Sequence, residues 1–270
     1  MLIFSMFAGS IMQVLRSLHE ITNYVSEMKH EGKTIGFVPT MGFLHEGHMS
    51  LVNLSRKQAD VTIASIYVNP SQFNDISDFE NYPKDEEADL ALLALNECDA
   101  VFIPSQDEIE SLNKVQVDLD GLDEVMEGKH RPGHFKGVVE VVYRLFSAVT
   151  PDKAFFGEKD YQQLLVIRKM VDEVGLNVDI VGAPIIREKN GLAMSSRNVR
   201  LSKEGRERAK VIFETLSGYN DLNRSESERN LAAAGFELEY LEEFEYDSVK
   251  RLFIAGFFEG VRLIDNVSIN

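Results

Sequence analysis

Residues 34–59 read TIGFVPTMGFLHEGHMSLVNLSRKQA. Thr34–Val38 is a short apolar run that predicts a buried strand. Met49–Ala59 predicts a helix, with Leu51, Val52, Leu54 and Ser55 spaced along one side. The stretch between, Pro39–His48, therefore lies where a strand ends and a helix begins. Free backbone N–H groups and the positive end of the helix dipole attract anions at such a junction. His45 and His48 add two imidazoles at the same point, and Gly42 and Gly47 let the backbone approach a bulky ligand. The constellation fits the oxygens of a triphosphate. A metal site is the other reading of two histidines three apart. However, the zinc-protease pattern is His-Glu-x-x-His on a helix, whereas His45-Glu46-Gly47-His48 has a different spacing and a glycine in its middle.

Outward from this stretch, strands and helices alternate. Val61–Val68, Asp99–Ile103, Lys153–Phe156 and Val178–Val181 read as further strands. Gln13–Glu31, Pro83–Glu97 and Tyr161–Val174 read as helices. Val138, Val141, Val142, Leu145, Phe146 and Val149 also carry a helical spacing. The alternation predicts an α/β fold, a Rossmann-like parallel sheet with helices on both faces. After residue 183 the pattern changes. A polar loop Arg187–Arg200, a helix Ser202–Ser217 and a polar stretch Asn220–Asn230 precede three strand-like runs, Phe236–Glu245, Arg251–Phe258 and Val261–Ile269. The expected organisation is a nucleotide-binding, catalytic domain over residues 1–183 and a smaller α+β lid domain over 184–270. Met12 is an alternative start, which would make residues 1–11 an extension.

The 270 residues carry a formal net charge of −16, which argues against a nucleic-acid footprint and against anionic membranes. The single cysteine, Cys98, permits no intrachain disulfide and fits a reducing cytoplasm. No apolar run is long enough to span a bilayer.

Four further segments carry chemistry. In Ser65–Phe73, the amides of Asn69 and Gln72 follow a strand end and could hold hydroxyls and a carboxylate; Asn69-Pro70 is equally a common turn opener. Gly157-Glu158-Lys159-Asp160 repeats the strand–glycine–helix geometry and adds a point charge at Lys159. Past it, one of Gln162 and Gln163 could face a ligand. Met194-Ser195-Ser196-Arg197-Asn198 offers hydroxyls and a guanidinium, as a mobile clamp on a polyphosphate or as a plain linker. Arg131–Gly137 concentrates cations in a glycine- and proline-rich loop of an acidic chain, which argues that the loop has a task; a solvated loop before a helix is the other reading for Lys129 and His130.

With PTMGFLHEGH, VNPSQF, RPGHFKGV, FGEKDYQQL, GLAMSSRN and the C-terminal RLIDN in this order, the chain resembles the pantothenate synthetase (pantoate–β-alanine ligase) family from about Met12 to Asn270. That family lies within the His-x-Gly-His class I nucleotidylyl transferases. The resemblance implies an ATP-dependent ligase that condenses pantoate with β-alanine through a pantoyl adenylate, releasing pyrophosphate and AMP. It implies ATP contacts at Met41, Gly42, Phe43, Leu44, His45, Glu46, Gly47 and His48, at Gly157, Glu158, Lys159 and Asp160, at Ile186, and at Met194, Ser195, Ser196 and Arg197. Among these, His48 is the expected proton donor, and His45, Lys159, Ser195, Ser196 and Arg197 act on the phosphates. Gln72, Asn69 and Gln163 are implied for the substrates, Asp89 for Mg2+, and a cytoplasmic homodimer for the assembly. Lys84 and Glu140 depart from the arginine and threonine expected there, and the chain is short between Ser217 and Phe236. A different nucleotidylyl transferase would share the histidine element but would have no need of VNPSQF or the paired glutamines.

Overall fold

The computed structural model describes residues 11–220 and 224–269. Apart from Ile11, the extension expected over residues 1–11 lies outside the described residues. Among them, a parallel sheet is built from β1 Gln13–Leu15, β2 Ile35–Thr40, β3 Val61–Ile66, β4 Ala100–Phe102, β5 Lys153–Gly157 and β6 Asp179–Ala183. An antiparallel sheet follows, from β7 Phe236–Tyr246, β8 Val249–Phe258 and β9 Val261–Ser268. The helices are α1 Leu18–His30, α2 Glu46–Gln58, α3 Ile76–Glu80, α4 Glu86–Leu95, α5 Gln106–Ser111, α6 Met126–His130, α7 His134–Val149, α8 Tyr161–Val174, α9 Lys203–Arg208, α10 Val211–Gly218 and α11 Arg224–Ala234. This is the α/β class with a small C-terminal α+β part that the sequence predicts.

The central strands are apolar throughout because both faces are covered. Phe37, Ile63 and Phe102 point to the face packed by α1 and α7, with Ile21, Leu145 and Phe146. Their neighbours Val38, Ala64 and Val101 point to the face packed by α2 and α4, with Val52 and Leu93. The second sheet also alternates. Leu252 and Ile254 join the core beneath α10 and α11, while Phe253 and Ala255 join the core of the first sheet.

The strand order is β1-β4-β3-β2-β5-β6. From β2 the chain adds β3 and β4 on one side, then crosses over to add β5 and β6 on the other. The reversal opens a crevice beyond the carboxyl ends of β2 and β5, where ligands of open parallel sheets bind. The PTMGFLHEGH and GEKD segments follow those two strands.

Three elements differ from expectation. Gln13–Glu31 is not one helix: Gln13–Leu15 forms the edge strand β1, and α1 begins after Ser17. There Ser17 Oγ accepts from the N–H of Glu20, and the Glu20 carboxylate accepts from the N–H of Ser17. This capping box stops the helix from extending backwards. The helix expected over Ser202–Ser217 breaks into α9 and α10. The polar stretch Asn220–Asn230 contains the start of α11, in which only Ser227 and Leu231 are buried. Among the described residues no helix is long and apolar enough to cross a membrane.

Candidate active site

A cavity of about 230 Å³ opens at the crevice, walled by His45, His48, Gln72, Lys159, Gln163 and the Met194–Arg197 segment. His45 caps α2. Its Nδ1 accepts from the N–H of Gly47 (3.1 Å), and the N–H of His45 donates to Nδ1 of His48 (3.3 Å). With both Nδ1 atoms accepting, each neutral ring carries its proton on Nε2, so both retain one free donor. The ring centroids are 4.1 Å apart. Burial lowers the His45 pKa to about 4, and the charge of Lys159 adds to the effect. Burial also drives His48 well below the ordinary range, aided by His45 and Lys159. Both rings are therefore uncharged donors at neutral pH.

The loop before them is anchored by a helix packed on the same sheet. Asp89, buried on α4, accepts the N–H of Phe43 (2.8 Å) on one oxygen and that of Leu44 (2.6 Å) on the other. Gly42 has a φ of 76°, and a Cβ there would stand 2.9 Å from the Asp89 carboxylate, so only glycine fits. Met41, His45, Gly47 and His48 are on the cavity wall; Gly42, Phe43, Leu44 and the exposed Glu46 are not. Among the described residues no group of three or more His, Cys, Asp or Glu side chains could hold a metal ion, and both oxygens of Asp89 already accept backbone N–H groups.

Asn69 is buried and orients Gln72. Its Nδ2 donates to Gln72 Oε1 and to the carbonyl of Gly137, both at 3.1 Å. The Gln72 carbonyl accepts from Arg131 Nη2 (3.1 Å) and lies 2.8 Å from His134 Nδ1. The 131–137 segment is therefore no solvated loop. Its Arg131 and His134 fix the backbone that carries Gln72, and Gly137 lets α7 approach so closely that a Cβ would lie 2.4 Å from the carbonyl of Ser71. Burial, with Arg131 beside it, lowers the His134 pKa to about 4.

Of the paired glutamines, Gln163 lines the cavity. Gln162 is buried and structural: it donates to the carbonyls of Leu122 (2.6 Å) and Val125 (2.9 Å) and accepts from the N–H of Glu127 (2.9 Å). Gly157, Lys159, Asp160 and Ile186 are on the wall, with Lys159 Nζ 3.6 Å from Asp160. Glu158 turns away to Arg251 of β8, at 3.1 Å from both terminal nitrogens. Ser196 Oγ donates to the carbonyl of Phe43 (3.1 Å), and Arg197 donates to Asp78 (2.8 Å) while lying against Phe73 and Tyr82. The clamp segment thus rests directly on the histidine loop. Sequence reasoning missed Asp78 and Tyr82, and it read Val138, Val141, Val142 and Leu145 of α7 only as a helical pattern. They form the apolar end of the cavity, and their spacing is the same whether they face a core or a ligand.

The site is thus a parallel sheet with paired histidines at the helix following one switch-point strand and a lysine after the other. The pantoate–β-alanine ligase family model matches residues 13–268. The chain is 44% identical to a pantothenate synthetase of Christiangramia forsetii, over 96% of this chain and 100% of the relative. It is 45% identical to one of Porphyromonas gingivalis, over 95% and 99%. The crystal structure of pantothenate synthetase from Thermus thermophilus superimposes with a TM-score of 0.87 at 39% identity, covering 95% of this chain and 99% of that one. The Francisella tularensis pantoate–β-alanine ligase, solved with beta-gamma ATP and β-alanine, gives 0.88 at 35% identity, covering 96% and 98%. The chain belongs to the pantoate–β-alanine ligase (pantothenate synthetase) family, enzymes that form a carbon–nitrogen bond.

Proposed function

We propose that the cavity holds ATP and pantoate together and forms pantoyl adenylate with release of pyrophosphate, after which the β-alanine amine attacks to give pantothenate and AMP. The observation that carries this reading is the convergence of two fixed Nε2–H donors and Lys159 on one cavity that also presents Gln72 and Gln163. A carboxylate is a poor acyl donor, and exchange of oxide for AMP supplies a leaving group. The pantoate carboxylate would attack the α-phosphorus in line, with Gln72 and Gln163 holding it and the apolar side of α7 taking its methyl groups. Lys159, Ser195, Ser196 and Arg197 would face the charge that develops on the departing phosphates, and the protein's contribution is positioning and preorganised electrostatics. His45 and His48 are neutral before substrate enters. A triphosphate beside them favours their charged form, so proton donation by His48 becomes available in the loaded site. Arg197 would exchange Asp78 for phosphate as the clamp closes.

Mg2+ enters this reading as part of the metal–triphosphate substrate. The residues present build no cage of their own, and Asp89 already accepts two backbone N–H groups. The division at residue 183 into catalytic and lid domains, the homodimer and the cytoplasmic location belong to the same proposal, and the charge of −16 argues against a nucleic-acid partner.

The test is ATP–pyrophosphate exchange with pantoate alone, then with other hydroxy acids. Exchange that requires pantoate and does not require β-alanine is expected. Exchange that depends on β-alanine, or is indifferent to the acid, would overturn the two-step reading.

A further inference from the structure

The C-terminal RLIDN segment, residues 262–266, has no atom on the cavity wall described above, yet two of its side chains reach both phosphate-facing segments. Asn266 on β9 is 1% exposed. Its Nδ2 donates to the backbone carbonyls of Glu158 and Lys159, each at 2.9 Å. These are the successive carbonyls of the turn that carries Lys159. The amide orientation is determined: a flip would set Oδ1 against two carbonyl oxygens and leave the NH2 group without acceptors. In the assigned orientation Oδ1 is buried without a partner. An unsatisfied buried acceptor is costly. Its retention here points to the NH2 group as the part of the residue the site requires.

The preceding residue ties the other segment. Asp265, 3% exposed, accepts both terminal nitrogens of Arg187, at 2.5 and 2.9 Å. Arg187 also donates to the carbonyl of Gly191 (3.1 Å) and stacks on Phe213 at 4.0 Å. It is bridged to Ala193, immediately before Met194–Arg197. Asp265 Oδ1 further accepts the backbone N–H of Asn266 (2.8 Å), which ties the Asp265 carboxylate to the backbone that carries Asn266.

We propose that Asp265-Asn266 is a yoke between the two sides of the phosphate site, with Asn266 the positioning residue that sets the Lys159 turn. Lys159 has a long, flexible side chain, so its turn must be fixed if its ammonium is to meet developing charge without reorganisation. Within the 157–160 turn the backbone carbonyls point outward from the first sheet, and the second sheet supplies their donor. The small C-terminal sheet therefore contributes to the phosphate site through a backbone clamp rather than through a group that touches substrate. This rests on the adenylation reading above.

The test uses the full chain. Asn266→Ala should lower pantoate-dependent pyrophosphate exchange about 100-fold, the scale of a small misplacement at a reacting centre, with the effect in kcat rather than in the KM for pantoate. Conversion of preformed pantoyl adenylate by β-alanine should change by less than about 5-fold on the same argument. Asn266→Ser, which keeps one donor, should fall between wild type and Asn266→Ala, and it carries the test should the alanine variant fail to fold. Because Asn266 acts through Lys159, Asn266→Ala added to Lys159→Ala should cost little more than Lys159→Ala alone. Amide hydrogen exchange across residues 157–161 should quicken in Asn266→Ala, a readout independent of turnover. An equal fold-loss from Asn266→Ala in both backgrounds, or unchanged exchange protection at 157–161, overturns the yoke. Absence of pantoate-dependent exchange in the wild type would overturn the adenylation reading instead, and the hydrogen-exchange comparison would still decide the clamp.

Discussion

The junction after β2 and the junction after β5 stand side by side at the crevice, and they are built by opposite means. The first presents two uncharged imidazoles whose tautomers are fixed by neighbours within three residues, and its loop is held by Asp89 of α4, a helix packed on the same sheet. The second presents a full charge on the flexible stem of Lys159, and its turn is held from the other sheet by Asn266 and Arg251. Dipoles can be set by local geometry because each ring has few degrees of freedom. A lysine cannot be fixed locally, so its backbone is gripped from a distance. The rings of the first junction are therefore set without the second sheet, whereas the second junction depends on the docking of β7–β9.

The contrast is broken or sharpened first at Lys159. Lys159→Ala should lower pyrophosphate exchange about 10³-fold, at the upper end for loss of one group facing transition-state charge. Conversion of preformed pantoyl adenylate should suffer far less, because no phosphate charge develops in that step. Equal losses in both steps would assign the lysine to substrate binding in general.

The two junctions also differ in how far the sequence discloses them. The first is legible: strand, glycine, two histidines and a helical pattern are contiguous, and the contacts that set its two rings act within three residues, although its anchor Asp89 is not visible from the motif. The motif order carried the family as well. At the second junction GEKD is visible, but what holds it is 107 and 108 residues away, at Asn266. No periodicity encodes such a contact. The 131–137 loop is legible only in part for a related reason. Its cations mark a loop with a task, and only the fold brings the carbonyl of Gln72 against Arg131 and His134. The edge strand β1 is three residues long, too short to show a period. α11 has one buried apolar residue, Leu231, too few to trace a stripe. The capping box at Ser17 and Glu20 was present as a signal and would have moved the start of α1.

Next in size are the histidines. His45→Ala and His48→Ala should each slow adenylation about 10²-fold, less than Lys159→Ala, since each variant keeps the other imidazole donor in place. Near-wild-type pantoyl adenylate formation by both would remove the first junction from the chemistry. A smaller effect is expected from Asp89→Ala, which leaves the Phe43 and Leu44 N–H groups without their acceptor. The unfolding free energy should fall by about 2 kcal/mol, the scale of hydrogen bonds to a charged group. Urea unfolding checks this. A loss of activity with no loss of stability would mean that Asp89 acts on the bound metal–triphosphate rather than on the loop.

The smallest effect separates the junctions by pH. His45 has a folded pKa of about 4, below the ordinary 6.5. A group whose folded pKa is depressed contributes its stability in full above its unfolded value, and that contribution is lost as pH falls toward the folded value. The window is therefore pH 6.5 down to 4, and at pH 5.5 one such histidine should cost about 1 kcal/mol relative to pH 7.5. Wild type carries this cost at His45, His48 and His134 together, since all three are depressed by burial. His45→Asn removes one of them. Asparagine is itself a favourable helix cap, so an acceptor for the N–H of Gly47 at the start of α2 is retained. Urea midpoints for wild type and His45→Asn, compared at pH 7.5 and 5.5, should show a smaller acid loss in the variant, by about 1 kcal/mol. If the two lose the same amount, His45 takes up its proton in the folded state as readily as in the unfolded one. The first junction would then be a charged site at mildly acidic pH, and its difference from the Lys159 junction would be one of geometry alone.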